Sequence, residues 1–140
     1  IYGLTLDTRR EDIARAIVEG LAYELRLHLE AYERAGIHLK TIRAVGGGAT
    51  IDRQLQLKAN ITGLTVVKGA VAESSALGAA AYAAAGMGVL ANPAEAYQKV
   101  KEKETVFLPD MHAHERFQAQ FNKYRQLAYA ANALDTGRIC

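Results

Sequence analysis

Apolar residues recur every three or four positions from Ile13 through Ile17, Leu21, Leu25 and Leu29 to Tyr32, the spacing of one face of an α-helix. Just ahead, Thr8-Arg9-Arg10-Glu11 has the T-x-x-E form of a capping box, in which hydroxyl and carboxylate each satisfy a backbone amide orphaned at a helix start. Gly36 stands where a left-handed C-terminal cap falls, so a helix is predicted from about Arg9 to Ala35, with that stripe facing the core. Gly20 in its middle costs roughly 1 kcal/mol against alanine, which predicts close approach of another backbone there.

Thr41 to Val45 then reads as a short strand that ends in Gly46-Gly47-Gly48-Ala49-Thr50. Thr50 is placed to cap a second helix with Ile51, Leu55 and Ala59 on one face, and Gly63 introduces a second β-rich run, Leu64 to Val67. Strand, helix, strand implies a parallel pair joined by a right-handed crossover, with the glycine run at the carboxyl end of the first strand. A third helix, Glu73 to about Ala85, is so poor in bulk that tight packing is expected of it. Asn92-Pro93-Ala94-Glu95 opens a short helix to about Lys103, and Phe107 to Asp110 reads as an extended turn. A last helix from about His112 to Asn132 carries Phe117, Phe121, Tyr124 and Ala128 as its docking stripe. The fold class is α/β, helix-rich with two parallel strands and a C-terminal helical extension over residues 91–140.

Composition narrows the function. Half of the 140 residues are hydrophobic and under a quarter charged, as in an ordinary soluble domain. Its 17 basic and 15 acidic residues are scattered, so no basic face announces nucleic acid or anionic lipid. No apolar run approaches the roughly 20 residues of a bilayer span; Ala76 to Ala85 is broken by Gly78 and Tyr82. A single cysteine, Cys140, leaves no internal disulfide and suits a reducing cytoplasm. His112-x-His114 points its rings apart and reads as surface histidine rather than a metal site; His28 and His38 show no partners, and most of the tyrosines read as half-buried helix-face residues.

The glycine run carries the chemistry. Three successive glycines after a strand free the backbone of side chains, so amide groups can meet a ligand at contact distance beside the positive end of the next helix. The same run also serves as a tight turn. It is not G-x-G-x-x-G followed by an acid about 20 residues on, and no G-K-[ST] occurs, which disfavours a Rossmann site or a phosphate loop built round a lysine.

Gly3-Leu4-Thr5-Leu6, Arg15-Ala16-x-x-Glu19-Gly20, Gly46-Gly47-Gly48-Ala49 and Glu73-x-x-Ala76-Leu77-Gly78-Ala79-Ala80 stand in the order and spacing found in FGGY carbohydrate kinases, and over nearly its whole length the chain resembles that family, its xylulokinase-like members most. It departs from the pattern at Arg53 and Leu55, near where many members carry tryptophan, and at Asn60, where aspartate is frequent. The resemblance implies part of an RNase H-like, actin-like ATPase domain, the C-terminal nucleotide-binding portion of a kinase that moves the γ-phosphate of ATP to a sugar or polyol hydroxyl. It implies that Gly46, Gly47, Gly48 and Ala49 lie against adenine and ribose. Asp52 would accept a hydrogen bond from the nucleoside, its alternative being a plain acid in a helix's first turn. Glu73 would open the helix behind the pocket, with Gly78, Ala79 and Ala80 packed beside the glycine loop. Mg²⁺, the phosphate loop and the catalytic base belong in the family to preceding polypeptide, so no catalytic or metal residue is expected within residues 1–140. The opening at Ile1 suggests a piece of something longer, lacking the N-terminal domain, inactive alone and stabilised by its counterpart or by self-association as a homo-oligomer. Two other readings stay open: a non-kinase actin-like ATPase or nucleotide sensor, and a purely structural or interaction module.

Overall fold

The structure, a computed structural model, describes residues 2–69, 71, 73–100 and 104–135. Cys140 and the predicted helix end at Lys103 lie outside them. Helix α1 (Arg10–Arg34) is followed by strand β1 (Thr41–Ala44), a 3-10 turn (Gly47–Ala49), α2 (Asp52–Thr62), β2 (Thr65–Lys68), α3 (Ser74–Gly86), α4 (Ala94–Val100), β3 (Thr105–Phe107) and α5 (Met111–Asp135). β1 and β2 pair in parallel, Thr41 opposite Thr65 and Ala44 opposite Lys68, as the strand-helix-strand pattern requires. A third strand joins them: β3 runs antiparallel to β2, Val106 opposite Val67, so Phe107 ends a strand rather than opening the extended turn that the sequence predicts over Phe107 to Asp110.

Helix α2 is the wall between two small cores. On its sheet side Leu55 and Ala59 are buried with Ala49 and Val66, and Ile42, Ala44 and Phe107 pack round them. On its other side Ile61 is buried with Ala22 and Tyr23 of α1 and Phe121 of α5, with Leu27, Leu57, Phe117 and Tyr124 at the margin. The stripe foreseen on the last helix docks there: Phe121 is fully buried, and Tyr23 meets Tyr124 and Phe117 at ring-centroid distances of 5.5 and 6.4 Å. Arg26 lies over Phe121, its Cζ 4.1 Å from the ring centroid, and donates to the Ile61 carbonyl at 3.0 Å and to Gln118 Oε1 at 2.7 Å. Those acceptors hold a guanidinium whose pKa burial pushes down.

Several local expectations are corrected. The inward face of α1 is Ala22, Tyr23 and Leu27; Ile17 and Leu21 are exposed, because α2 and α5 both pack on the opposite side. With Ile13 and Leu127 they belong to an apolar flank, part of which forms a groove of about 630 Å³ between α1 and α5. Gly20 admits the Tyr124 ring rather than another backbone, an added Cβ lying 3.9 Å from Cε2. The helix starts one residue later than the capping box predicted. Arg9 is the N-cap, and its amide donates to Asp12 Oδ2 at 3.0 Å, while the Thr8 hydroxyl accepts from Thr5 N. α3 leaves Gly78 in open space and Ala79 and Ala80 exposed, its principal neighbour being α4, so its small residues do not pack beside the glycine loop. Tyr2, Tyr32, Tyr82 and Tyr129 are exposed.

The junction of α2 with α5 shows why Gly63 is glycine. It takes φ +73° as the C-cap of α2, and an added Cβ would stand 3.0 Å from the His114 ring. His114 is thus half-buried, with Nδ1 2.9 Å from the Asn60 carbonyl, rather than a solvated surface histidine. His28 Nε2 lies 3.6 Å from Glu24, a partner the sequence did not reveal. Asp110 caps α5, accepting from the amides of His112 and Ala113 at 2.9 and 3.1 Å.

Candidate functional site

Pairing of Ala44 with Lys68 brings the carboxyl ends of β1 and β2 to one edge of the sheet, and the glycine turn leaves from there. Gly46 adopts φ +75° and ψ −169°, a conformation that disfavours any side chain, and turns the chain away from the strand. The next residues wind tightly. Ala49 N donates to the Gly46 carbonyl at 3.0 Å, and Thr50 returns both its amide and its hydroxyl to the Gly47 carbonyl, at 3.4 and 2.9 Å. This tight turn displaces the predicted cap: Thr50 closes the turn, Ile51 becomes the N-cap, and α2 begins at Asp52.

Ala49 points its methyl into the core, leaving the main chain as the outward surface. Added Cβ atoms at Gly46, Gly47 or Gly48 would meet nothing within 4 Å. Among the described residues, the amides of Gly47 and Gly48 have no acceptor. Beside the turn lies a cleft of about 230 Å³ lined by Val45, Gly46, Ala49, Thr50, Lys68, Gly69 and Val71. The structure thus brings Gly46 and Ala49 together in its wall, and leaves Gly47 and Gly48 exposed on the turn itself. Asp52 stands next to the cleft rather than in its wall, and its Oδ1 accepts from Lys68 Nζ at 2.8 Å.

Lys68, Gly69 and Val71 were not singled out from the sequence. Their signal lies in the strand pairing: once Ala44 is set opposite Lys68, the residues after Lys68 must share the rim with Val45 and Gly46. Gly69 permits that junction, its amide donating to the Ala44 carbonyl at 3.0 Å while an added Cβ would stand 3.2 Å from Val45 Cγ1. A second hollow of about 230 Å³ shares Val45, Gly69 and Val71 and runs to Ser74 and Leu77 at the start of α3. Its far side is held by Glu104, which pairs with Arg43 and accepts from the Tyr97 hydroxyl at 3.0 Å. Glu73 is the exposed N-cap of α3 beside this hollow.

Among the described residues, no three His, Cys, Asp or Glu side chains come together as a metal-binding group, and no helix is long and apolar enough to cross a membrane. The turn and cleft therefore offer main-chain donors, one lysine and apolar walls.

Comparison with known proteins gives this arrangement its family. Residues 1–87, more than half of the chain, match the profile of the FGGY family of carbohydrate kinases, C-terminal domain. The chain is 39% identical over 117 residues to a glycerol kinase of Halorhodospira halophila, covering 83% of this chain and 23% of that protein. It is 32% identical over 129 residues to the L-xylulose/3-keto-L-gulonate kinase of Escherichia coli, covering 92% of this chain and 26% of that one. The crystal structure of a ligand-bound xylulose kinase from Lactobacillus acidophilus superposes with a TM-score of 0.70 at 26% identity, over 94% of this chain and 27% of that one. The chain spans about a quarter of the length of the relatives it matches. A strand-glycine turn-helix-strand unit with this sequence order, backed by those matches, places the chain in the FGGY family of carbohydrate kinases and gives it that family's actin-like ATPase fold.

Proposed function

We propose that the glycine turn and its cleft seat the adenine nucleoside of ATP or ADP in a kinase that phosphorylates a sugar or polyol hydroxyl. The observation that carries this reading is the turn itself: exposed main chain with two amides lacking acceptors, at the carboxyl end of a parallel strand. A purine needs a flat, close surface, and a backbone bare of side chains at Gly46, Gly47 and Gly48 offers one. The walls fit the nucleoside rather than the whole cofactor. At about 230 Å³ the cleft falls below the roughly 300–1,000 Å³ of a complete small-molecule site, so it acts as a half-site that another part of the polypeptide closes.

ATP, when bound, supplies the γ-phosphoryl group; this chain's own part is to hold the nucleoside end. Lys68 carries the cleft's positive charge, and Asp52, next to the cleft and paired with Lys68, is the acceptor we assign to a nucleoside hydroxyl or amine once it parts from that lysine. Parting costs little, because an exposed pair is worth about 0–1 kcal/mol. We assign Mg²⁺ and the base that takes the acceptor's proton to the rest of the polypeptide; of the acids here, Asp12 and Asp110 cap helices and Asp52 pairs with Lys68. A cytoplasmic location belongs to the same proposal, as an ATP-dependent sugar kinase draws on the cytoplasmic ATP pool.

The test is photolabelling of the full-length protein with 8-azidoadenosine diphosphate, followed by peptide mapping. Label within residues 43–71, suppressed by excess ADP, is the expected result. Label confined to peptides outside this chain would remove the seat from the glycine turn.

A further inference from the structure

A second groove, of about 800 Å³, opens on the opposite side of α2, where α1, α2 and α5 meet. Arg15 of α1, Arg53 of α2 and Arg116 of α5 line it together, against a single acid, Glu19. Glu19 is already engaged, accepting from Arg15 Nε at 2.6 Å and from the Tyr23 hydroxyl at 3.4 Å. Arg53 and Arg116 are exposed and have no carboxylate partner among the described residues. Arg34 and the half-buried Arg125 sit on Glu30 and Arg43 sits on Glu104, whereas Arg9 and Arg10 at the start of α1 are exposed and likewise without a carboxylate partner among the described residues. The floor between the arginines includes Leu57 and Phe117.

We infer that this groove binds a small polyanion carrying two or more phosphoryl groups, at a site separate from the glycine-turn cleft. A guanidinium presents a planar fork that fits phosphate oxygens in pairs, and it stays charged at any physiological pH. The two unpaired guanidiniums, from α2 and α5, suit a ligand with more than one anionic centre, and the apolar lining of Leu57 and Phe117 suits a carbon skeleton between those centres. The groove's volume falls in the range of small-molecule sites. Arg53 also gives the site a consequence. It follows Asp52 on the first turn of α2, so a ligand that draws on Arg53 acts on the turn that holds the Asp52–Lys68 pair beside the cleft. The inference stands on its own residues and does not require the nucleoside reading.

The experiment is calorimetric titration of the full-length protein with inorganic pyrophosphate, in the presence of saturating adenosine. Saturable binding is expected, weakened by added salt because the contacts are ionic. The double variant Arg53→Gln/Arg116→Gln is expected to bind about tenfold or more weakly, since each lost guanidinium removes charge-assisted hydrogen bonds. Lys123→Gln, a cation on the far side of α5, is expected to leave binding unchanged. Melting curves for all variants establish that the fold is retained. Orthophosphate, with a single phosphoryl group and less charge, is expected to bind about tenfold more weakly than pyrophosphate. Binding that is absent from the parent, or equal in parent and double variant, overturns the site. An acidic hexapeptide that binds more tightly than pyrophosphate overturns the small-ligand assignment in favour of a protein segment.

Discussion

Replacing Gly47 or Gly48 by valine separates a nucleoside seat from a mere turn, because the two roles respond oppositely. In the folded chain an added Cβ at either position meets nothing within 4 Å, and neither residue has a positive φ. The fold should therefore tolerate the side chain, with a stability change within about 0.5 kcal/mol, the usual range for surface substitutions. Removing glycine even restricts the unfolded chain, which works in the stabilising direction. A ring lying flat on this main chain meets a different situation. A valine side chain interposes a carbon layer between ring and backbone, breaking the close contact and removing an amide hydrogen bond worth roughly 0.5–1.5 kcal/mol. With the lost dispersion contacts the expected penalty is about 2 kcal/mol, close to a thirtyfold rise in the dissociation constant. Calorimetry with ADP, paired with thermal melts, reads both quantities. Gly46→Ala serves as the contrast, since its φ of +75° makes any side chain strained and costs about 1–2 kcal/mol of folding stability. Unchanged ADP affinity in both valine variants, with unchanged melts, would refute the bare-backbone seat.

Asp52→Asn keeps the residue's size but removes its charge; adenosine affinity should drop several-fold if the carboxylate serves the nucleoside, and an unchanged titration would leave Asp52 as the helix-start acid that pairs with Lys68. Phe121→Ala empties the centre of the three-helix core and should cost about 3–5 kcal/mol, seen as a lowered denaturation midpoint at unchanged ligand stoichiometry. In alkaline titration followed by phenolate absorbance, Tyr124 should ionise late, its pKa pushed up to about 12 by burial and by donation to Glu24 at 2.7 Å. The folded state then holds a proton that the unfolded chain releases near pH 10, so this contribution to stability is complete below pH 10 and is lost as pH rises towards 12. Tyr124→Phe should flatten that decline. Residues 1–140 alone should give no ATP-dependent phosphorylation of glycerol or xylulose in a coupled ADP-release assay; sustained turnover would locate the catalytic groups within this chain.

The order of elements was legible because it rests on local signals: helical periodicity, glycine punctuation and a β-rich run after Gly63. What the sequence could not supply was orientation. α1 carries apolar residues at Ile13, Ile17 and Leu21 as well as at Ala22, Tyr23 and Leu27, so periodicity alone cannot choose between the two faces. The choice is made by α5, whose Phe121 and Tyr124 arrive from about a hundred residues away. Strand β3 escaped notice because Thr105-Val106-Phe107 is too short to show alternation, and its pairing depends on Val67 being in place. The candidate site divides in the same way. Gly46 to Ala49 and Asp52 announced themselves by composition at a strand-helix junction, whereas Lys68, Gly69 and Val71 are recognisable only after the parallel register is fixed.

That register also explains why α2 is the element on which both proposed sites depend. Its sheet side must bury Leu55 and Ala59, and its other side must bury Ile61, so the helix has little freedom to rotate between β1, β2 and the α1–α5 pair. A helix held on two sides transmits displacement along its axis better than rotation. Its amino end is the less constrained one: Ile51, Asp52 and Arg53 are exposed, whereas the carboxyl end is fastened by Gly63, by His114 on the Asn60 carbonyl and by the Asp110 amide on Asn60 Oδ1. The first turn, where Asp52 pairs with Lys68 and Arg53 lines the arginine groove, is thus the end of α2 with fewer tertiary contacts. An anion drawing on Arg53 and a nucleoside drawing on Asp52 would compete for the placement of the same turn. Any coupling between them is then set by how far that turn can shift before Leu55, fully buried one turn further along, resists.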